Sequence, residues 1–382
     1  MKPLRILQFI TPAGFYGAER WVLALANNLS AAEVVCDLAV TDEGAGQDLS
    51  VAEFYPKQIG QVHRIPLKHR FDMTAIQKLC TLIRSRNIDV IHTHGYKSDI
   101  LGLIAARRCN IKAVSTPHGF SGNVGFKLSM FIKAGTFSYR YFDRVVPLSP
   151  ELLEDVRGFR VPESKIDYIA NGVDLSELDR FFKMSSEERE DFHLGFVGQM
   201  IPRKGLRDLI DVFHRLWERH PRVRLTLVGD GSQRRELESY ARSLPCSERI
   251  RFLGFQPDRI PIMREFDMFL MTSSLEGIPR CMMEAMAIGI PVVAYDIPGV
   301  DELVTHGKTG SLAPLGDIET LSNECEALML DIELRQRLTG NARRMIEETY
   351  SAARMANEYT ALFRTLVGPA SSGKTSLSGK GV

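Results

Sequence analysis

Short, almost unbroken apolar runs alternate along this chain with longer stretches in which apolar residues recur every three or four positions. In the first half the runs fall at 4–10, 34–40, 88–92, 113–116, 144–148 and 166–169. In the second half they fall at 193–197, 224–228, 250–253, 268–271 and 291–294. Runs this short read as buried strands, and the periodic stretches between them, such as 18–29, 74–86 and 352–366, read as amphipathic helices. Strict alternation predicts parallel sheets with helices on both faces. Two such series predict an α/β protein with two Rossmann-like domains.

The join is expected between Asn171-Gly172, a turn signal, and Asp191. Polar, uncommitted sequence around 184–190 precedes a new buried strand beginning near Leu194. The expected organisation is an N-terminal domain over 1–172, a linker over 173–190 and a C-terminal domain over 191–350. A last helix follows over 351–367, then a disordered tail over 368–382 rich in Gly, Ser and Lys. Gly368 to Thr375 formally matches a phosphate-loop pattern. It lacks the strand before and the helix after that such a loop requires.

Net charge of +1 on 382 residues gives no global field to recruit nucleic acid. The six cysteines (Cys36, Cys80, Cys109, Cys246, Cys281, Cys325) form no C-x-x-C pair and read as buried thiols of a reducing compartment. No leader or membrane-spanning run is visible, so the expected location is cytoplasmic.

Chemistry concentrates in a few segments. Glu276-Gly277-Ile278-Pro279-Arg280 leads into a short apolar helix carrying Glu284, which Gly289 and Pro291 terminate. Pro279 suits its first helical position. Free backbone N–H groups at such a helix start favour an anion, and two carboxylates would flank it. A second segment, Gly198-Gln199-Met200-Ile201-Pro202-Arg203-Lys204-Gly205, places two cations just after a strand. There they would meet charge developing on a leaving phosphate. Gly14 and Gly17, followed by Glu19, lie at the turn from the first strand to the first helix. The segments Asp89-Val90-Ile91-His92-Thr93-His94 and Thr116-Pro117-His118-Gly119 each place a histidine, His94 and His118, at a strand's end.

The run EGIPRCMMEAMAIGIPVV resembles the E-x7-E segment of family 4 of the retaining nucleotide-sugar glycosyltransferases, and the K-G loop at Lys204-Gly205 is similar to theirs. The resemblance extends over about 1–366. It implies the GT-B fold: two Rossmann-like domains facing across a cleft, with the final helix crossing back to the N-terminal domain. It implies transfer of a sugar, with retention, from a nucleotide-diphosphate sugar to a hydroxyl acceptor in polysaccharide, lipopolysaccharide or glycolipid assembly.

By the same resemblance, Glu284 would hold the donor ribose, and Glu276 would lie by the transferred sugar. The Gly277 and Ile278 backbone would lie near sugar and diphosphate, with Arg280 beside them. Gly254 and Phe255 would meet the nucleobase, and Gly14 and Gly17 the diphosphate. Lys204 and Arg203 would stabilise the leaving phosphate, and His118 would face the reacting sugar. Glu19 and His94 would stand on the acceptor side. The family arginine after the strand glycine is replaced by Gln199, which leaves Arg203 or Arg280 as the partner cation.

No D-x-D pair is present, and neither a metal nor any other cofactor is required. The expected partners are the nucleotide-sugar donor and a glycan or lipid-linked acceptor. The aromatic and basic stretch 120–142 would add an anionic membrane surface, making the protein peripheral to the inner face. A nucleotide-sugar epimerase of the same fold and a catalytically silent donor-binding subunit are the competing readings.

Overall fold

This computed structural model describes residues 2–12, 14–15, 17–44, 46–67, 72–119, 126–182 and 190–368, and for 126–131 it describes the backbone alone. The chain divides into two units. The first comprises Met1–Pro147, Asp155–Ile169 and Met355–Val382, the second Leu148–Glu154 and Ala170–Arg354.

The first unit is built on a sheet of β1 (Leu4–Ile10), β2 (Val34–Asp42), β3 (Val62–Pro66), β4 (Val90–His94), β5 (Lys112–Ser115) and β6 (Arg144–Val145). Its order is β3-β2-β1-β4-β5-β6 and every pairing is parallel. β1 and β4 are buried over nearly their whole length, which is why they read as continuous apolar runs. Two helices end on asparagines in the left-handed region, Asn87 (φ 50°) and Asn110 (φ 54°), each turning the chain into the next strand. The helix Ala352–Val367 lays Tyr359 and Phe363, both fully buried, onto this unit from Met355 onward.

The second unit repeats the plan with β7 (Phe192–Val197), β8 (Val223–Val228), β9 (Ile250–Gly254), β10 (Met268–Met271), β11 (Val292–Asp296) and β12 (Ser311–Pro314). The order is β12-β11-β10-β7-β8-β9, again parallel. Its helix Leu206–Arg219 buries Leu206, Leu209, Ile210, Phe213 and Leu216, a stripe spaced for one helix face. Helices starting after Asp317 and Asp331 are capped by those carboxylates, which accept from Thr320 N at 2.9 Å and Leu334 N at 2.8 Å.

The fold class is two Rossmann-like α/β units with parallel sheets. Three local expectations differ. β3 and β12 have no counterpart among the apolar runs, because their short segments VHRIP and SLAP are interrupted by polar residues and a proline. The run at 166–169 is not a strand: it meets β6 through the single bridge Val145–Ile166. Pro279 is not the first helical residue but the cap before it (ψ 111°), and the helix Arg280–Ala287 is about two turns long. The Pro279 carbonyl accepts from Met282 N and Met283 N at 3.1 and 3.2 Å, so the proline closes the first turn from outside.

Strand order fixes where chemistry can sit. Both sheets reverse direction of growth beside their first strand, between β1 and β4 in one and between β7 and β10 in the other. Crevices open beyond the carboxyl ends of strands at such switch points.

Candidate functional site

In the second unit the switch point gathers the loops after β7 and β10. Pro202–Lys204 forms one 3-10 turn, and Gly205 follows in the left-handed region at φ 59°. Thr272 Oγ1, just past β10, donates to the carbonyls of Lys204 (3.1 Å) and Gly205 (2.9 Å), and Ser274 N donates to the Arg203 carbonyl at 2.8 Å. A Cβ on Gly205 would stand 2.2 Å from the Thr272 carbonyl oxygen, so only glycine permits this seam.

The seam brings Lys204 against Glu276 in an ion pair, with the two residues 7% and 5% exposed. Arg203 Nη1 lies 3.8 Å from the other Glu276 oxygen and donates to the Leu275 carbonyl at 3.1 Å. Glu276 is therefore a buried carboxylate facing two cations, not a solvated loop residue. Behind it, Gly299 (φ 85°) backs onto the loop so closely that a Cβ there would lie 1.7 Å from the Gly277 carbonyl oxygen. Ile278 is buried beside it.

Glu284, 3% exposed, sits on the short helix and is held by two guanidinium groups. Arg259 Nε and Nη2 donate to its two oxygens at 2.9 and 2.5 Å, and Arg280 Nε donates at 3.0 Å. Burial works against the charge on Arg259, but the Glu284 carboxylate outweighs it and holds that guanidinium above its usual range. Arg280 Nη1 is buried with no partner among the described residues. Burial pushes the neighbouring Cys281 thiol up to about 11, with Lys204 pulling the other way, so it is no ready nucleophile. At the end of β9, Gly254 has φ 70° and Phe255 is exposed.

In the first unit, Gly17 opens the helix Gly17–Asn28 after β1, Gly14 lies in the bend before it, and Glu19 is buried in the helix's first turn. His92 and His94 lie on β4, and His118 follows β5. His94 uses both ring nitrogens: Nε2 meets Gln8 Oε1 at 2.5 Å and Nδ1 meets His118 Nε2 at 3.1 Å. Trp21 packs across both rings with centroids 5.2 Å away. Burial alone lowers His118 to about 3, and burial with neighbouring histidines takes His94 well below its usual range. Both rings are neutral at physiological pH.

Of the stretch 120–142, residues 120–125 lie outside the described residues. Tyr139 and Phe142 belong to the core, whereas Phe137 and Tyr141 are 51% and 53% exposed, with Arg140 4.9 Å over the Phe137 ring. No helix among the described residues is long and apolar enough to cross a membrane. Among the same residues, no group of three or more His, Cys, Asp or Glu side chains is placed to hold a metal ion. All six cysteines are free.

Two family models tile the chain: Glycosyltransferase Family 4 over residues 15–177 and Glycosyl transferases group 1 over residues 178–345. The structure superposes on that of Anabaena HepE in complex with UDP with a TM-score of 0.80, at 20% identity, covering 95% of this chain and 100% of that one. The protein belongs to the GT-B glycosyltransferases. This glycosyltransferase is 27% identical over 311 residues to the UDP-Gal:alpha-D-GlcNAc-diphosphoundecaprenol alpha-1,3-galactosyltransferase of Escherichia coli, covering 78% of this chain and 80% of that protein. It is 22% identical over 315 residues to N-acetyl-alpha-D-glucosaminyl L-malate synthase of Bacillus anthracis, covering 80% and 82%.

Two residues in contact with candidate site residues were not singled out from the sequence. Arg259 stands 25 residues before Glu284, a separation no motif spacing would flag. Gln8 did leave a signal: it is a polar residue in the middle of the apolar run of β1.

Proposed function

We propose that this glycosyltransferase transfers a sugar with retention from a nucleoside-diphosphate sugar to a hydroxyl of a glycan or lipid-linked acceptor. The single observation that carries the reading is the buried pair Lys204 and Glu276, with the exposed Arg203 beside it, at the β7/β10 switch point next to the Glu284 helix. A leaving diphosphate gains negative charge as the glycosidic bond breaks. Cations fixed in advance by backbone seams meet that charge without reorganising, which favours the transition state over the bound donor.

In this reading Lys204 is the principal cation and Arg203 the second, taking the place of the arginine the family carries where this chain has Gln199. Arg280 is the weaker candidate for that place, because its Nε is already committed to Glu284. Glu284, held rigid by Arg259, takes the ribose hydroxyl groups. The Gly277–Ile278 backbone takes sugar and diphosphate, Gly254 and Phe255 the base, and Gly14 and Gly17 the diphosphate from the first unit's loop. His118 takes a hydroxyl of the transferred sugar, and Glu19 stands on the acceptor side. No carboxylate is assigned as a covalent nucleophile. The departing phosphate itself accepts the acceptor proton, and the protein supplies position and charge.

A uridine donor is the first to try, since the Escherichia coli relative is named for UDP-Gal and the Anabaena structure holds UDP. The experiment is a panel of UDP-, GDP- and ADP-sugars, read by thermal stabilisation and by release of nucleoside diphosphate. Stabilisation by one base class with slow diphosphate release is expected. No stabilisation by any of them, or conversion of the sugar without release, overturns the reading. The exposed Phe137 and Tyr141, with the half-buried Arg140, are assigned to an anionic membrane surface. Failure to sediment with phosphatidylglycerol vesicles removes that part.

A further inference from the structure

The register of the first sheet sets Gln8 of β1 opposite His92 of β4 and Ile10 opposite His94. Side chains two apart share a face, so Gln8, His92 and His94 form a polar layer inside a sheet that is otherwise apolar there. Trp21 closes one side, with ring centroids 5.2 to 5.8 Å from His92, His94 and His118. Tyr359 closes another. Its hydroxyl lies 2.8 Å from Thr116 Oγ1, which in turn lies 2.7 Å from His92 Nε2. Hydrogen bonds and ring contacts thus hold His92 and His94 on several sides.

Proton positions follow from those hydrogen-bond partners. The Gln8 oxygen can only accept, so His94 Nε2 carries the hydrogen of that contact. A neutral imidazole has one N–H, so His94 Nδ1 is a lone pair, and His118 Nε2 must donate to it. His118 is then committed as well, and its Nδ1 is the acceptor nitrogen. The Gln8 side chain also interacts with the buried Cys36 thiol on β2, which anchors its amide.

We propose that Gln8 and His94 are positioning residues that hold His118 as its Nε2–H tautomer, so that Nδ1 offers a lone pair to a hydroxyl of the substrate. The inference rests on the assignment of His118 to the transferred sugar. It adds which residues orient that histidine and what it can recognise: a hydroxyl that donates, not a carbonyl or phosphate oxygen that accepts. A ring free to choose its tautomer would serve both kinds of group and bind neither in one geometry.

The test begins with the full chain labelled with ¹⁵N-histidine, using long-range proton–nitrogen correlation near pH 7.5 and assigning His118 by its loss in His118→Asn. The expected spectrum shows a protonated Nε2 and an unprotonated Nδ1 on His118. The reverse pattern, or averaging of the two, overturns the proposal. Replacing Gln8 with methionine (Gln8→Met) keeps the length and removes the acceptor. His118 should then populate both tautomers, and turnover should fall at least tenfold while donor KM stays within about twofold. Unchanged tautomer and unchanged turnover in Gln8→Met also overturn it. The wild-type spectrum needs no substrate. If it shows the Nε2–H form while no nucleotide sugar is consumed, the tautomer lock stands and the assigned reaction falls.

Discussion

Lowering the pH from 6.5 to 5.5 should destabilise the first unit through its buried histidines. His92, His94 and His118 are all held below 6.5, chiefly by burial, with His118 at about 3. In the unfolded chain each takes up a proton as pH falls through 6.5, whereas in the folded unit none does. The unfolded state then binds more protons, and stability present above pH 6.5 is lost as pH falls. Asp99 works in the opposite sense. Burial raises it to about 7 against the hydroxyl groups of Thr93, Ser115 and Tyr139, so its folded form gains a proton over the same interval and the burial penalty is relieved. Three histidines at roughly 1 kcal/mol each, less about 1 for Asp99, leave a net loss of about 2 kcal/mol.

The assay is urea unfolding at pH 7.5, 6.5 and 5.5, followed by Trp21 fluorescence in a Trp217→Phe background. The chain has two tryptophans, and Trp21 lies against the histidine layer. An unfolding free energy that stays level or rises between pH 6.5 and 5.5 would refute the reasoning. So would folded-state histidine resonances that titrate near 6.5.

Lys204→Met should lower turnover about 100- to 1,000-fold with donor KM changed far less, as measured by diphosphate release. Glu284→Ala leaves Arg259 buried without its carboxylate, so a loss of about 3–5 kcal/mol should show in its denaturation midpoint, with weaker nucleotide binding. Glu284→Gln should keep more of the fold while still losing affinity. Turnover should survive EDTA, because cationic side chains carry the charge work in the proposed site; abolition by chelation with rescue by magnesium would contradict that. Gly299→Ala should destabilise the second unit and impair donor binding, since the added methyl group meets the Gly277 and Glu276 carbonyls.

The central strands were legible because a parallel strand buried on both faces leaves an apolar run, as β1 and β10 do. The edge strands β6 and β9 fell on apolar runs, whereas β3 (VHRIP) and β12 (SLAP) did not, because polar residues and a proline interrupt such short segments. The same logic divides the site. Glu276, Glu284 and Lys204 stood out as candidates through the resemblance of their local segments to the E-x7-E and K-G motifs. Their burial and their partners depend on contacts 25 to 72 residues apart in the chain, and no local pattern records those. The distant Arg259 contact is what makes Glu284→Ala costly to the fold.

The helix Ala352–Val367 has a consequence for biogenesis. Tyr359 and Phe363 roof the imidazole layer of a unit whose other strands are all made before residue 150. During translation that layer stays uncovered while some two hundred further residues emerge, so the half of the protein begun first is finished last. A ribosome stalled before codon 359 would hold a nascent chain whose second sheet is complete and whose first still shows its aromatic underside, a target for holdase chaperones.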